Sequence, residues 1–391
     1  VPLALETAVR PGVRVTVPFG AGNRTRVAMV LSTSYESGAG QKLKAIASVL
    51  DKEPLLDDEM LALIPWMKSR CFCTLYDAVK VMIPAGIGYK LVNRYRMNAA
   101  FKNYDREAFT DTAWQIIVAL TAAKNGLTGA ELTERLGIEE KSSDLLSLLE
   151  NGTVIRENAA SRNAADATTR MVCAVPDFSG KLTPKQQSAF DTLCAIGTVT
   201  VRELSYYTGV NVGIIRTLAD KGAAEIFEVE RFRRPKQEMA DIRLPQTLSA
   251  EQMNVANDIL RECDAAEPMV GLLYGVTGSG KTAVFLHVIR HVLTVGKGVI
   301  VTVPEISLTP QTLAVFTAAF GDTVAVFHSG LSVGERMDEW KRVRTGKAKI
   351  VVGTRSAVFA PVQNLGLIVM DEEQESTYKS ESTPRYHARD I

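Results

Sequence analysis

No stretch of this chain is apolar for long enough to cross a bilayer. Runs such as Leu367–Met370 stop after a few residues, where a membrane helix needs about 20. A basic-then-apolar leader is missing from the start, so secretion has no support. Cysteine is scarce: Cys71, Cys73, Cys173, Cys194 and Cys263 are the only five in 391 residues. That is no disulfide framework, and reduced thiols are the plain reading. Cys71-Phe72-Cys73 is too tight for a zinc ribbon and has no second pair nearby, so buried thiols inside an apolar helix are expected and no zinc ligands. Of the four histidines, His287 and His291 lie four apart with no glutamate between them, which excludes a metalloprotease site. Excess charge is also lacking. The formal net charge of +1 rules out a strongly basic nucleic-acid coat protein but not local basic surfaces.

What is present is an ordinary globular composition, 46% hydrophobic and 23% charged over 391 residues. At roughly 150 residues per domain this suggests two to four domains. The chain starts at Val1, and His387–Ile391 reads as the first turn of a helix without its end, so a fragment cut at both ends is expected. Residues 1–35 read as β: Val13–Val17 alternates with period two, Pro18–Asn23 is a turn cluster, and Arg26–Leu31 is a second strand. Asp58–Tyr76 reads as one long apolar-periodic helix. Through residue 110 there are 15 Lys+Arg against 10 Asp+Glu, and thereafter 30 against 34, so the mild basic bias sits at the N-terminus.

Residues 110–235 contain an internal repeat. Leu127–Leu132 matches Val199–Leu204, Gly137-Ile138 matches Gly209-Val210, and Leu148–Gly152 matches Leu218–Gly222. Each unit reads as helix, short helix, turn at glycine, second helix, glycine stop and strand (Thr153–Arg156; Ala224–Val229). This is the pattern of a helix-turn-helix with a wing, and Asn158–Thr169 reads as a wing tip or linker. The candidate recognition helices, Lys141–Asn151 and Val212–Lys221, carry Asp144, Glu150 and Asp220 against few cations. They lack the basic surface of a major-groove reader, so a spacer, protein contact or backbone contact is favoured. Val229–Leu244, with Arg231, Arg233 and Arg234, reads as a connector that either touches phosphate or is solvated. The cationic run Lys341–Lys349 reads slightly more as a surface helix face than as a DNA contact.

From residue 245 strands and helices alternate. Met269–Tyr274 has the length and content of a buried strand. It is followed by Gly275-Val276-Thr277-Gly278-Ser279-Gly280-Lys281-Thr282 and then by a helical run, Ala283–Leu293. This is the G-x-x-x-x-G-K-T phosphate loop in its strand–loop–helix context. Backbone N–H groups of Gly275–Gly280 close around phosphate oxygens, Lys281 reaches the β- and γ-phosphates, and the Thr282 hydroxyl binds Mg²⁺. Leu365–Met370 reads as another buried strand ending in Asp371-Glu372-Glu373-Gln374. Asp371 is placed to hold Mg²⁺ and Glu372 to orient and deprotonate the attacking water. Gln252, in Leu248–Gln252, is able to pair with adenine N6 and N7. The loops Val303–Gln311 and Gly353–Ser356 belong on the same sheet edge. There Thr309, Gln311, Thr354, Arg355 and Ser356 suit the phosphates of a single strand.

The ordered set L-S-A-E-Q, G-V-T-G-S-G-K-T, V-P-E-I-S-L-T-P-Q, F-H-S-G (Phe327–Gly330), G-T-R-S-A-V-F-A-P and D-E-E-Q strongly resembles the PriA family of replication restart helicases (primosomal protein N′). These are bacterial superfamily 2 motors translocating 3′ to 5′, and the similarity covers nearly the whole chain. The resemblance implies that Val13–Gly20 belongs to a domain binding the 3′ end of a leading strand, that the middle is a winged-helix region, and that Glu375–Asp390 is an aromatic-rich loop coupling DNA binding to hydrolysis. Tyr378, Lys379, Arg385, Tyr386 and His387 would then contact DNA, with Tyr378, Tyr386 and His387 stacking on bases. It further implies ATP and Mg²⁺ as cofactors, and zinc only in a region absent from this sequence. The implied partners are branched DNA, single-stranded DNA, primosome proteins and single-strand-binding protein, with no membrane. The implied location is the bacterial cytoplasm, associated with the nucleoid. The family usually has His where Gln374 stands and often Trp where Pro384 stands. A second motor lobe with an arginine finger is not in this sequence, so poor ATP hydrolysis by the chain alone is expected.

The expected fold is α/β and multidomain. A β-rich 3′-end domain occupies 1–105 with its start missing, winged-helix-like units occupy 106–178 and 179–240, and a truncated RecA-like lobe occupies 241–391. Two other classes compete: a duplex-DNA translocase of the restriction or remodelling type, and a DNA-end-binding module with a vestigial ATP site.

Overall fold

The computed structural model describes residues 1–34, 43–84, 87, 89–100, 106–123, 125–162, 167–176, 178–234, 247–265, 267–276 and 278–391. In the N-terminal unit, β1 (Arg14–Phe19) lies between β2 (Arg24–Met29) and β3 (Ser48–Val49), antiparallel to both. Val9, Val13 and Val15 form its small core. Helix α1 (Asp58–Arg70) starts where Asp57 accepts from the Met60 N–H at 2.9 Å. The single helix expected through Tyr76 is broken. Phe72 adopts φ +49°, and a capping box between Thr74 and Asp77 starts a new helix, α2 (Leu75–Met82). Apolar periodicity continues across the break, but the reciprocal Thr–Asp hydrogen bonds favour a helix start there. Cys71 and Cys73 therefore sit in a turn and not inside a helix, and the described residues contain no group of three or more His, Cys, Asp or Glu side chains placed to hold a metal.

The sequence repeat becomes two units of one design. The first is β4 (Tyr89–Met97), α3 (Asp111–Ala122), β5 (Leu127–Thr128), α4 (Gly129–Leu136), α5 (Ser143–Glu150) and β6 (Val154–Arg162). The second is β7 (Thr168–Ala174), α6 (Pro184–Ile196), β8 (Val199–Thr200), α7 (Val201–Thr208), α8 (Val212–Asp220) and β9 (Ala224–Glu230). In each, the first strand pairs antiparallel with the other two. The matched residues do matched work: Thr128–Glu131 and Thr200–Glu203 are capping boxes, and Gly137 and Gly209 end their helices left-handed. Leu132, Leu145 and Leu148, and likewise Leu204, Ile215 and Leu218, fill the two cores. The units begin at β4 and β7, ahead of the boundaries expected at 106 and 179. Much of Asn158–Thr169, expected as a wing tip or linker, extends β6 and starts β7, and residues 163–166 lie outside the described residues. Pairing between strands some 65 residues apart leaves no local trace in the sequence.

The last part is a parallel α/β lobe. Its helices and strands are α9 (Ala250–Cys263), α10 (Lys281–Thr294), β10 (Gly298–Thr302), α11 (Pro310–Phe320), β11 (Val324–Phe327), α12 (Val333–Arg344), β12 (Ile350–Gly353) and β13 (Leu365–Met370). The sheet order is β11-β12-β10-β13, every pair parallel, so all four strands end at one edge. The strand expected at Met269–Tyr274 does not form. That segment pairs with no strand among the described residues, and Val270 and Tyr274 are 92% and 91% exposed. Strand β13 is also less buried than expected, because it lies at the sheet edge, with Ile368 48% exposed.

The units share packing. Leu55 and Ile87 join Phe327, Met337 and Trp340 in one core, and Met60 and Ile64 join Phe359 and Tyr386 in another. Two of the connector's cations are engaged by the lobe. Arg233 pairs with buried Asp338 through its guanidinium at 3.4 Å and its backbone N–H at 2.8 Å, and Arg234 pairs with Asp322, while Lys341 of the lobe pairs with Glu230 at 2.5 Å. The Lys347 ammonium lies 4.6 Å from the Phe232 ring centre. Arg342 pairs with buried Glu339, whose other oxygen accepts from the Val326 N–H at 2.7 Å. Much of the two basic runs is thus spent on holding the connector and α12 in place. Residues 235–246 of the connector lie outside the described residues.

Candidate nucleotide and nucleic-acid site

The phosphate loop opens α10 at Gly280, which has φ +82° and no side-chain cap. First-turn N–H groups are therefore left for an anion, with the helix dipole behind them. Gly278 has φ +81°, a conformation that favours glycine. The Lys281 ammonium folds over the loop onto the Gly275 carbonyl at 2.9 Å and the Val276 carbonyl at 3.4 Å. Thr282 is exposed beside it. Thr277 lies outside the described residues.

Gln252 sits directly over this loop. Its Oε1 accepts from the Ser249 N–H at 2.9 Å and its Nε2 donates to the Ser279 carbonyl at 2.9 Å. One amide hydrogen and one oxygen lone pair remain, the pair that an adenine edge requires. At the end of β13, Asp371 has its carboxyl pushed above the ordinary range by burial first and by Glu372 second, with Lys281 near enough to offset part of this. Glu372 adopts φ +48°, and its carboxylate accepts from Gln374 Nε2 at 2.7 Å. Gln374 thus holds one acid of the pair through a neutral donor. Glu373 pairs instead with Arg389 at 3.3 Å.

Thr309 caps α11 at the same sheet edge, and Thr309 and Gln311 are exposed. Thr354 and Ser356 follow β12 there, Thr354 buried and Ser356 exposed. Arg355 spends Nη1 on the Thr377 and Lys379 carbonyls at 3.3 and 2.9 Å, so it braces the closing loop. That loop turns back on itself through a Lys379–His387 bridge and a Ser380 N–H to Tyr386 carbonyl bond of 2.8 Å. Lys379 and Arg385 are exposed and His387 is half-buried.

Two residues expected to stack on bases are instead interior. Tyr378 is fully buried, with its hydroxyl against the Thr302 and Asp371 carbonyls at 3.0 and 2.6 Å. Tyr386 is 3% exposed, edge-on to Phe359 at 5.0 Å, and burial pushes its phenol up to about 12. Neither ring offers a face to a base. Aromatic content suggested stacking, but the apolar surface of α1 and Val358-Phe359 takes the Tyr386 ring, and the carbonyls at the ends of β10 and β13 hold Tyr378. Sequence reasoning also missed Arg336, whose Nη2 donates to the Ser329 and Leu331 carbonyls at 3.1 and 2.9 Å, and the Ser329–Glu305 bond of 2.7 Å. The F-H-S-G motif was the available signal.

A parallel sheet with a phosphate loop at its carboxyl edge, and an acid pair at a neighbouring strand end, defines a nucleotide-binding lobe of the helicase class. Residues 249–389 match the DEAD/DEAH box helicase family, and residues 1–84 match the 3′DNA-binding domain (3′BD) of PriA. Across its length the chain is homologous to the replication restart protein PriA. It is 32% identical to the Bacillus subtilis protein, covering all of this chain and 48% of that one. It is 32% identical to the Haemophilus influenzae protein, covering 99% and 44%. The Synechocystis protein is 31% identical, covering 98% and 47%. The chain therefore spans about half the length of these curated relatives. No helix among the described residues is long and apolar enough to cross a membrane.

Proposed function

We propose that this chain is the fork-engaging and nucleotide-binding portion of an ATP-driven 3′-to-5′ DNA helicase that recognises stalled or abandoned replication forks and initiates primosome assembly. The observation that carries this reading is the joining, in one packed body, of the unit matching the 3′DNA-binding domain to the lobe bearing Lys281 and Asp371. In this reading the two repeats are winged-helix modules, and they space the end-binding unit from the motor. The uncapped first turn of α10, the loop glycines and Lys281 fit a triphosphate, and Gln252 fits adenine. Thr282 and Asp371 hold Mg²⁺, which neutralises phosphate charge. Glu372, positioned by Gln374, orients the attacking water. Thr309, Gln311, Thr354 and Ser356 hold strand phosphates at the sheet edge, and Lys379, Arg385 and His387 extend that surface. Single-stranded and branched DNA, primosome proteins and single-strand-binding protein are the partners, in the bacterial cytoplasm.

The test is fluorescence anisotropy with a fork bearing an exposed leading-strand 3′ end, the same fork with that end blocked, and plain duplex, at one salt concentration. Preference for the exposed end is expected. Equal binding to all three would favour a duplex translocase. ATP turnover by this chain alone should be very poor, since an arginine finger is worth roughly 10³–10⁵ in related phosphoryl transfer. In the complete protein, Lys281→Ala should abolish unwinding and leave fork binding nearly intact.

A further inference from the structure

A cleft of about 440 Å³ lies where the N-terminal unit meets the motor lobe. Its floor is the carboxyl edge of the sheet, at His328-Ser329 after β11 and Thr354–Ser356 after β12. One wall is the closing loop, from Thr377 to Tyr386. The opposite wall is α2, which contributes Asp77, Lys80 and Val81. Its volume is that of a small-ligand site, room for a nucleotide unit of one strand and not for a duplex.

Charge and unmet hydrogen bonding indicate what belongs there. Both carboxylates on the walls accept hydrogen bonds and keep their charge, so Lys80, Arg336 and Arg355 outnumber them by three to two. Asp77 accepts from the Thr74 N–H at 3.0 Å and the Thr74 hydroxyl at 2.6 Å, and Glu305 accepts from Ser329 at 2.7 Å. Lys80 is exposed and forms no ion pair among the described residues, while Arg336 and Arg355 add positive charge. Two polar atoms of lining residues, Arg336 Nε and Thr377 Oγ1, are buried without a hydrogen-bond partner. Leaving such a donor unmet costs about 1–3 kcal/mol, which a ligand rich in acceptor oxygens would recover. Half-buried His328 has its imidazole pushed down by burial and then by Arg336. The apolar lining (Val81, Val303, Phe327, Pro384) suits sugar and base faces.

We infer that this cleft is a phosphodiester site for a single DNA strand, shared between the two units, in which Lys80 of α2 contacts the phosphate of a strand lying on the motor edge. The inference rests on the DNA-motor reading above and adds to it a direct link. The strand held by the motor also touches the unit that matches the 3′-end-binding domain, so end recognition and strand tracking bear on the same nucleotides.

The test is binding of a labelled oligothymidylate to this chain across a salt series, with wild type, Lys80→Gln, Thr377→Val and Lys68→Gln. Lys68 is exposed on α1 outside the cleft. For single strands the slope of log affinity against log salt is about −0.7 per phosphate contact. Lys80→Gln should make the slope shallower by about 0.7, to the same extent on oligoadenylate, while Lys68→Gln leaves it unchanged. Thr377→Val should weaken binding without lowering the melting temperature of the free chain, because the hydroxyl it removes has no hydrogen-bond partner in the free chain. An unchanged slope for Lys80→Gln, with wild type binding normally, would overturn the shared site and leave the motor reading standing. Tighter binding by Lys80→Gln would also overturn it, showing that α2 obstructs the strand. Failure of wild type to bind any single strand would remove both.

Discussion

Asp51→Asn tests how the N-terminal unit is held, because Asp51 compensates a guanidinium with almost no access to water. Arg14 and Asp51 are only 7% and 6% exposed at their side chains. The carboxylate accepts from the Arg14 N–H at 2.9 Å, from Nε at 2.8 Å and from Nη2 at 2.6 Å. Arg14 Nη1 goes to the Ile87 carbonyl at 2.5 Å. Asp51 also attracts Arg344, which donates to the Pro54 carbonyl from the end of α12 and whose guanidinium burial pushes down. Asparagine keeps the shape and removes the charge, leaving a buried cation with a poorer partner. Removing one member of a buried pair costs about 3–5 kcal/mol, and at about 1.4 kcal/mol per decade this is roughly a 10²–10⁴-fold change. The assay is native-state hydrogen exchange, because a multidomain chain need not unfold in one step. The Ala47 and Leu50 amides donate to the β1 carbonyls of Thr16 and Arg14, and their exchange should accelerate by that factor. Amides of α6, in the second repeat, should not respond. Acceleration below tenfold at Ala47 and Leu50 would refute the reasoning, since the pair would then be no better than its solvated components. Replacing both residues with leucine should recover much of the loss, as apolar substitutes for buried pairs often do.

Gly280→Ala drives a Cβ into Gln252 Nε2 and forces alanine to φ +82°. The left-handed backbone costs alanine about 1–2 kcal/mol; an empty loop that relaxes out of it must return that energy on binding, so calorimetry should show nucleotide binding weaker by up to about 30-fold. Asp371 is held above the usual carboxylate range by burial and by Glu372, and its protonated form is a poor Mg²⁺ ligand. Mg²⁺-dependent nucleotide binding should therefore fall on acidification at a higher pH than an ordinary aspartate would give. Asp371→Asn should abolish that pH dependence, and a wild-type profile flat down to the ordinary aspartate range would contradict it. Tyr378→Phe removes the hydroxyl that bonds the Thr302 and Asp371 carbonyls. The lobe should lose about 0.5–1.5 kcal/mol, visible as a lower melting temperature; an unchanged one would show that the hydroxyl contributes nothing there.

Much of the fold was written locally. The capping boxes at Thr128, Thr200, Ser249 and Ser332 start helices with their own side chains, and such signals need nothing beyond three or four residues. The phosphate loop is legible for the same reason: its glycines, Lys281 and the helix start are contiguous. The repeat was legible because two copies of one core pattern align. The break after α1 was also encoded locally, in Thr74 and Asp77, but the apolar periodicity on either side masked it.

Other features depend on partners far away in the chain. Met269–Tyr274 has strand composition, yet composition states what a segment is able to bury and not which edge it pairs with. Tyr378 and Tyr386 have the chemistry to stack on bases, and only packing against α1 and the end of β10 decided that they turn inward. The basic runs at Arg231–Arg234 and Lys341–Lys349 looked alike as charge, but Asp338, Asp322 and Glu230 turned much of them into an internal fastening. Sequence alone singled out most of the groups proposed for the nucleotide site, because they are neighbours on one short loop or at one strand end. Tertiary structure alone decided which side chains face solvent and which wall Lys80 joins, because both depend on surfaces brought together from opposite ends of the chain.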